Sequence, residues 1–175
     1  MNVTKPMDVP PPTSMERDDD DRVISVTFDS GPSDPSHPLS TTGKNLWLVA
    51  IDGSEHAQRA VADAADLVGE ISGARIYLLN VQPWLSKEAA ESGLAERGWL
   101  ASAQARALLA AKGLPWRLKI AMGQTAEHIV ASAQRLGCHH IVIGSRGLGA
   151  AENLLIGSVA YKVIHLSPVS VLVVR

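Results

Sequence analysis

Four residues near the C-terminus have the spacing of an anion site: Gly144, Gly147, Gly157 and Ser158, in the pattern Gly-x2-Gly-x9-Gly-Ser. Glycine lets main-chain N–H groups come close to a bound group, because no Cβ stands in the way. If Gly157 and Ser158 begin a helix, the unpaired N–H groups of its first turn carry partial positive charge. Such amides would hold a phosphate without a lysine. The alternative interpretation is a turn after a strand followed by a helix cap.

The familiar phosphate-binding motifs do not fit this sequence. A Walker loop requires Gly-Lys followed by Ser or Thr, and no such triplet occurs. A dinucleotide motif beginning at Gly147 would need glycine at position 152, where the chain has Glu152. A second glycine-marked segment, Asp52-Gly53-Ser54, closes an apolar run, and either Asp52 or Ser54 would cap the helix that follows.

Apolar runs alternate with helical patterns from residue 45 onward. Residues 46–51 are wholly apolar, which is typical of a strand buried on both faces of a parallel sheet. Residues 116–121 alternate, which predicts an edge-like strand with one exposed face. Residues 86–112 predict either one helix or two, with Gly93 or Gly98 as the place of an interruption. The predicted strands are 46–51, 75–81, 116–121, 140–143 and 170–174, and the predicted helices are 55–72, 86–112, 125–136 and 158–166.

This alternation predicts an α/β fold, an open, mostly parallel sheet with helices on both faces. Ligands of such sheets lie beyond the carboxyl ends of the strands, where the strand order reverses. If the first and fourth strands are neighbours, the segment that begins at Asp52 and the loop that begins at Gly144 face each other across that crevice.

The first 44 residues differ in composition from the rest. They hold seven of the ten prolines, with eight acidic and four basic residues, including the aspartates 18–21. This composition predicts a disordered tail at 1–44 and a domain at 45–175. Residues 23–28 are β-prone and would either add to a sheet edge or form an apolar patch in a linker, and the linker is favoured.

Composition excludes several function classes. The net charge is −2 and no basic cluster occurs, so nucleic-acid binding is not expected. No apolar run is long enough to span a membrane, and one cysteine, Cys138, fits a reducing cytoplasm. His139 and His140 are adjacent on a strand and face opposite ways, so no metal site is predicted there.

The sequence resembles the universal stress protein family. The resemblance rests on Val-Ala-Ile-Asp-Gly-Ser-Glu-His (49–56), Ile-Tyr-Leu-Leu-Asn-Val (76–81), the glycine pattern that begins at Gly144, and Pro-Val-Ser-Val-Leu-Val-Val (168–174). It covers residues 45–175, and the long glycine pattern marks the family's ATP-binding branch. It implies a Rossmann-like, five-stranded parallel sheet in the order 3-2-1-4-5, with an adenine nucleotide across the crevice.

The resemblance also implies which residues contact the nucleotide. Ala50 and Ile51 would line the base, the main chain of Val81 would read the adenine edge, and Asp52 would bond the ribose or adenine side. The remaining contacts fall in two groups. The loop around ribose and phosphates would be Ile143, Gly144, Arg146 and Gly147, and the phosphate-binding helix start would be Gly157, Ser158 and Val159. Mg²⁺ would accompany the phosphates, and Glu152 and Asn153, where relatives often carry lysine or arginine, predict modest affinity.

A nucleotide site is not by itself a catalyst. No triad or paired carboxylates can be assigned, and Glu152 is the sole candidate base near the glycine loop. The resemblance therefore implies an ATP-binding stress-response or signalling module with little or no hydrolysis. The alternatives are a slow ATPase or nucleotidyl-transfer enzyme on the same fold, and a nucleotide-free interaction module. The apolar edge strand 169–174 predicts a homodimer, as the resemblance also implies.

Overall fold

The computed structural model describes residues 9–30, 45–149 and 155–175. The elements in these parts of the chain are β1 (Ser14–Arg17), β2 (Val23–Asp29), β3 (Leu46–Ala50), α1 (Glu55–Gly69), β4 (Arg75–Gln82), α2 (Lys87–Ala101), α3 (Ala103–Ala111), β5 (Trp116–Met122), α4 (Thr125–Leu136), β6 (His140–Gly144), α5 (Ser158–Leu166) and β7 (Ser170–Val174). None of the helices in these parts is long and apolar enough to cross a bilayer.

One seven-stranded sheet runs through the described chain in the order β1-β2-β5-β4-β3-β6-β7. The strands β3 to β7 are parallel to one another, and β1 and β2 are antiparallel additions beside β5. The prediction of a five-stranded sheet is therefore corrected to seven strands. The five parallel strands keep the order β5-β4-β3-β6-β7, so β3 and β6 are neighbours at the point where the order reverses.

The prediction of a disordered tail is wrong for residues 9–30, whereas residues 1–8 and 31–44 lie outside the described chain. Strand β2 pairs with β5 and buries Val23, Val26 and Phe28, each at most 2% exposed. The Phe28 ring lies 4.8 Å from the Trp99 ring of α2. Burial of these side chains outweighs the proline-rich, acidic composition around them, because hydrophobic burial is the main favourable term in folding.

Strands β1 and β2 form an antiparallel hairpin, and this hairpin explains why β5 is not an edge strand. Lys119, only 7% exposed, donates to Glu16 of β1 at 2.7 Å, and Arg117 donates to Asp29 of β2 at 2.6 Å. The charged residues of the alternating pattern, which predicted an exposed face, therefore form ion pairs with β1 and β2 instead. Charged residues on a buried strand require such partners.

Helices cover both faces of the sheet. One core cluster holds apolar side chains of α1, α2 and α3, and the other holds those of α4 and α5. Helix α2 runs through both Gly93 and Gly98 and ends at Ala101, with Ser102 as its C-cap, so neither glycine interrupts it. A Cβ at Gly98 would lie 2.4 Å from Ile120 Cγ2, which shows that this glycine allows α2 to pack closely on β5.

Candidate functional site

A cavity of about 540 Å³ opens at the carboxyl ends of β3 and β6. It lies where the strand order reverses, the usual ligand position in open α/β sheets. All eleven residues predicted from the sequence line it: Ala50, Ile51, Asp52, Val81, Ile143, Gly144, Arg146, Gly147, Gly157, Ser158 and Val159. The fold therefore brings together residues that are more than one hundred positions apart in the chain.

One wall of the cavity is apolar. Ala50, Leu79 and Ile143 lie on the sheet face that α4 covers, and Val81 is half-buried at the end of β4. Ile129 of α4 closes the wall from the helix side. Such a surface excludes water from a flat apolar group, such as a heterocyclic base, and leaves the polar groups to fix its orientation.

The glycine loop packs tightly on its own chain. A Cβ at Gly144 would lie 2.6 Å from the His56 carbonyl carbon and 2.7 Å from the Ala57 nitrogen, at the start of α1. A Cβ at Gly147 would lie 2.6 Å from Asp52 Oδ2. These two glycines thus allow the β6 end to approach α1 and Asp52, in addition to the role predicted for them at a ligand.

Asp52 links the two sides of the crevice. Its Oδ1 accepts a hydrogen bond from Ser54 N at 2.9 Å, and its Oδ2 accepts one from Leu148 N at 3.1 Å. Ser54 is the N-cap of α1, and its Oγ accepts from Ala57 N at 3.3 Å. Of the two alternatives for the helix cap, the structure selects Ser54. Asp52 holds the glycine loop against the end of β3 instead.

Arg146 brings a positive charge to the rim of the cavity. Its Nε donates to Nε2 of His56 at 3.2 Å. Ser54 Oγ lies 3.5 Å from the Arg146 carbonyl oxygen. These contacts link Arg146, a residue of the glycine loop, to the start of α1.

Helix α5 directs its N-terminus at the cavity. Gly157 is its N-cap residue, with φ −80° and ψ 161°, and provides no side-chain cap. Ser158 is the first helical residue of α5. Gly157 N donates to the Ser145 carbonyl at 2.7 Å. Ser158, Val159 and Ala160 line the cavity, and the first turn presents its partial positive charge there.

Sequence reasoning missed eight lining residues: Ala57, Leu79, Thr125, Ile129, Ser145, Leu148, Gly149 and Ala160. Ser145 carries the strongest chemical signal among them. It is 2% exposed, and its Oγ is buried with no hydrogen-bond partner among the described residues. A buried hydroxyl without a partner is costly, so this Oγ needs a partner that the described residues do not supply. Its place inside the glycine pattern was the signal that could have found it.

No group of three or more His, Cys, Asp or Glu side chains in the described chain is arranged to hold a metal ion. His140 instead stacks on Trp47, with ring centroids 4.2 Å apart. Cys138 is buried, which raises the pKa of its thiol to about 12 and keeps it protonated.

The fold and the cavity define a class of protein: an open parallel α/β sheet with a glycine-lined crevice at the reversal of strand order. Within that class, the chain belongs to the universal stress protein family, whose family model matches residues 47–175. The resemblance found in the sequence is thus confirmed at the level of the family.

Individual relatives agree with this assignment. The chain is 35% identical over 133 residues to a universal stress protein of Thermus aquaticus, covering 73% of this chain and 96% of the relative. It is 30% identical over 147 residues to universal stress protein YxiE of Bacillus subtilis, covering 75% of this chain and 99% of that relative. Among solved structures, protein MJ0577 is 26% identical with a TM-score of 0.67, covering 74% of this chain and 94% of that one.

Two further similar structures have nucleotides in their descriptions. One is a universal stress protein in complex with cAMP, 23% identical with a TM-score of 0.63, covering 75% of this chain and 97% of that chain. The other is from Archaeoglobus fulgidus in complex with dAMP, 20% identical with a TM-score of 0.58, covering 76% and 98%. At these identities the likeness shows the shared fold.

Proposed function

We propose that the cavity binds an adenine nucleotide, ATP with Mg²⁺, and that the protein is a nucleotide-dependent stress-response or signalling module. One observation carries the proposal: a single cavity joins an apolar wall at the strand ends to a glycine loop and the N-terminus of α5. The wall suits a base, and the loop with the helix end suits phosphates. The relatives that hold cAMP and dAMP support an adenine nucleotide.

The residues present fit a phosphate chain. Ser145 offers a buried hydroxyl without a partner, α5 offers its first-turn amides, and Arg146 offers a charge at the rim. Mg²⁺ usually keeps several waters and is bound largely through substrate phosphates, so a dedicated protein cage is not required. When bound, it would neutralise phosphate charge that a single arginine does not balance.

The lining residues favour binding over turnover. Asp52 supplies the carboxylate among the described lining residues, and both of its oxygens accept main-chain N–H groups. It is therefore not placed as a free general base, which hydrolysis of a nucleotide requires. Glu152, the candidate base from the sequence, lies outside the described residues. We accordingly expect little or no intrinsic hydrolysis.

Calorimetric titration with ATP, with and without Mg²⁺, tests the proposal. In Gly157→Asp, a carboxylate would stand at the N-cap of α5, where it stabilises the helix but repels phosphate. Gly157→Asn is the matched neutral cap. We expect saturable binding of ATP by the unaltered protein. Gly157→Asp should lower the affinity tenfold or more, which is on the order of the repulsion from one unit charge near the site. Gly157→Asn should lower the affinity less. Absence of saturable binding to any adenine nucleotide would overturn the proposal.

A turnover assay separates the module from an enzyme on the same fold. Steady release of phosphate or pyrophosphate from ATP that Gly157→Asp abolishes would favour the slow ATPase or nucleotidyl-transfer alternative. Binding without turnover would favour the signalling module. No binding would favour the nucleotide-free interaction module.

We also propose a homodimer that pairs through residues 169–174. Leu172 of β7 is 38% exposed, and Tyr161, Ile164 and Leu166 of the adjoining α5 are exposed as well. An unpaired strand beside exposed apolar side chains favours pairing with a second copy. A cytoplasmic location, and the absence of nucleic-acid and membrane partners, stay predictions.

A further inference from the structure

The turn of the N-terminal hairpin, residues 18–22, lies at the same end of the sheet as the cavity. Strand β2 is antiparallel to β5, with Ser25 opposite Ala121 and Asp29 opposite Arg117. The start of β2 is therefore beside the carboxyl end of β5, where the parallel strands open into the cavity. The other end of β2 reaches the amino end of the sheet, far from the cavity. The hairpin thus has a cavity end and a distal end.

At the cavity end, the turn is fastened to the connection between β4 and α2. The Arg22 guanidinium lies 5.2 Å from the centroid of the Trp84 ring, a cation–π distance. Lys87 Nζ donates to the Asp20 carbonyl at 3.1 Å and to Asp21 Oδ2 at 3.2 Å. Asp18 accepts from Arg22 at 2.7 Å and 2.9 Å, which orients the guanidinium. The aspartates of this turn therefore take part in specific contacts.

Trp84 lies between the turn and the residues next to the cavity wall. A Cβ at Gly123 would lie 4.0 Å from Trp84 Cζ2, so the indole packs beside this residue. Gly123 N donates to the Gln82 carbonyl at 3.0 Å, which ties the ends of β4 and β5 together. Gly123 comes two residues before Thr125, and Gln82 comes directly after Val81, and both Thr125 and Val81 line the cavity.

We infer that residues 18–22 position the base side of the cavity through Trp84, and that Arg22 is a positioning residue for the bound base. This inference rests on the proposed nucleotide function. Trp84 is 56% exposed, so few other contacts hold it against Gly123. Loss of the guanidinium over the ring frees the indole, and the wall made by Val81 and Thr125 loses its fixed spacing. The glycine loop and α5 lie across the crevice and keep their own contacts.

The test compares two probes, adenosine and inorganic tripolyphosphate, in titrations of the full chain. Arg22→Ala should weaken adenosine and ATP about two- to fivefold, the range of an exposed cation–π contact, and leave tripolyphosphate affinity unchanged. Arg22→Lys keeps a cation over the ring and should restore most of the adenosine affinity. The control is the double variant Asp29→Asn, Arg117→Gln, which removes the ion pair at the distal end of the same hairpin and should not alter either affinity.

Hydrogen exchange of residues 84–87 supplies a readout that does not need a nucleotide. Faster exchange there in Arg22→Ala, together with selective loss of adenosine affinity, is the expected result. Equal loss for adenosine and tripolyphosphate would overturn the inference, since it would indicate a general loss of folding. Unchanged adenosine affinity in Arg22→Ala, with normal binding by the unaltered protein, would also overturn it and leave the proposed function intact. If the unaltered protein binds no nucleotide, both the proposed function and this inference are overturned.

Discussion

The two edges of the sheet are finished in different ways. Beyond β5, the chain covers the parallel sheet with its own hairpin, which buries Phe28 and pairs the buried Lys119 with Glu16. Beyond β6, the sheet ends in β7, where Leu172 is exposed on a strand whose outer side has no partner in the described chain. One edge is thus closed by sequence that precedes the family domain, and the other is open.

The two edges differ in how readily each would pair with a second copy of the chain. An edge with charged, short and exposed β1 resists pairing with another chain, whereas an apolar edge favours it. The proposed pairing through β7 would give a finite dimer related by a two-fold axis, because both copies would use the same surface. The hairpin therefore replaces β5 as the edge of the sheet with β1, a strand of four exposed residues.

The largest expected effect tests whether the hairpin is part of the core. Phe28→Ala should lower the free energy of unfolding by about 3–4 kcal/mol, since it removes a buried ring that contacts Trp99. Urea unfolding measures it. Met15→Ala, in the exposed strand β1, is the control and should change stability by less than about 0.5 kcal/mol. Equal and small effects of both changes would mean that the hairpin does not contribute to the folded core.

The second prediction concerns the open edge. Leu172→Lys should weaken the proposed dimer by about 2 kcal/mol, roughly thirtyfold, because it places a charge in an apolar contact that occurs twice by symmetry. Light scattering at micromolar protein should then report the monomer mass. Met15→Lys makes the same change in charge at the closed edge and should leave the dimer mass as it is. A monomer mass for the unaltered protein contradicts the proposed assembly.

The third prediction concerns the ion pair that fastens the closed edge. Glu16→Gln leaves the Lys119 ammonium, whose side chain is 8% exposed, without an ionised partner. Because Glu16 itself is half exposed, we expect a loss of about 1 kcal/mol rather than the larger cost of a fully buried pair. The double variant Glu16→Gln, Lys119→Met should recover most of that loss in denaturant unfolding. No recovery would mean that the charge of Lys119 is not the cause.

The smallest expected effect is a dependence of the free energy of unfolding on pH. Burial, with Lys119 and Arg135 nearby, lowers the pKa of His128 from its ordinary value of 6.5. The unfolded chain therefore binds the proton first, so stability should fall as pH drops below 6.5 and level off below the folded pKa. Hydrogen bonds from Lys119 and Ser25 lower the pKa of Glu16, which adds a further loss below its ordinary value of 4.5.

Unfolding measured from pH 7.5 to pH 4 checks this prediction. His128→Gln should remove the dependence between pH 6.5 and 5, and Glu16→Gln should reduce the dependence below pH 4.5. Stability that rises on acidification would contradict the sign of both pKa shifts.

Local patterns predicted most of the parallel domain. Residues 46–51 and 140–143 are apolar without alternation, and the structure places β3 and β6 at the centre of the sheet. The eleven predicted site residues all line one cavity, because the carboxyl ends of neighbouring parallel strands meet at one edge. The prediction for residues 23–28 failed because a β-prone stretch of six residues fits a linker as well as a strand until its partner strand is known.

From the sequence alone, periodicity determined the alternation of strands and helices, and quoted motifs indicated the family. The resemblance to that family then implied eleven of the residues that line the crevice. Only the tertiary structure decided that Gly98 lies against Ile120, that Asp52 holds Leu148, and that Lys119 is neutralised by Glu16. Each of these is a contact between residues distant in sequence. Its energy depends on burial and distance, and neither quantity exists before the strands and helices have packed together.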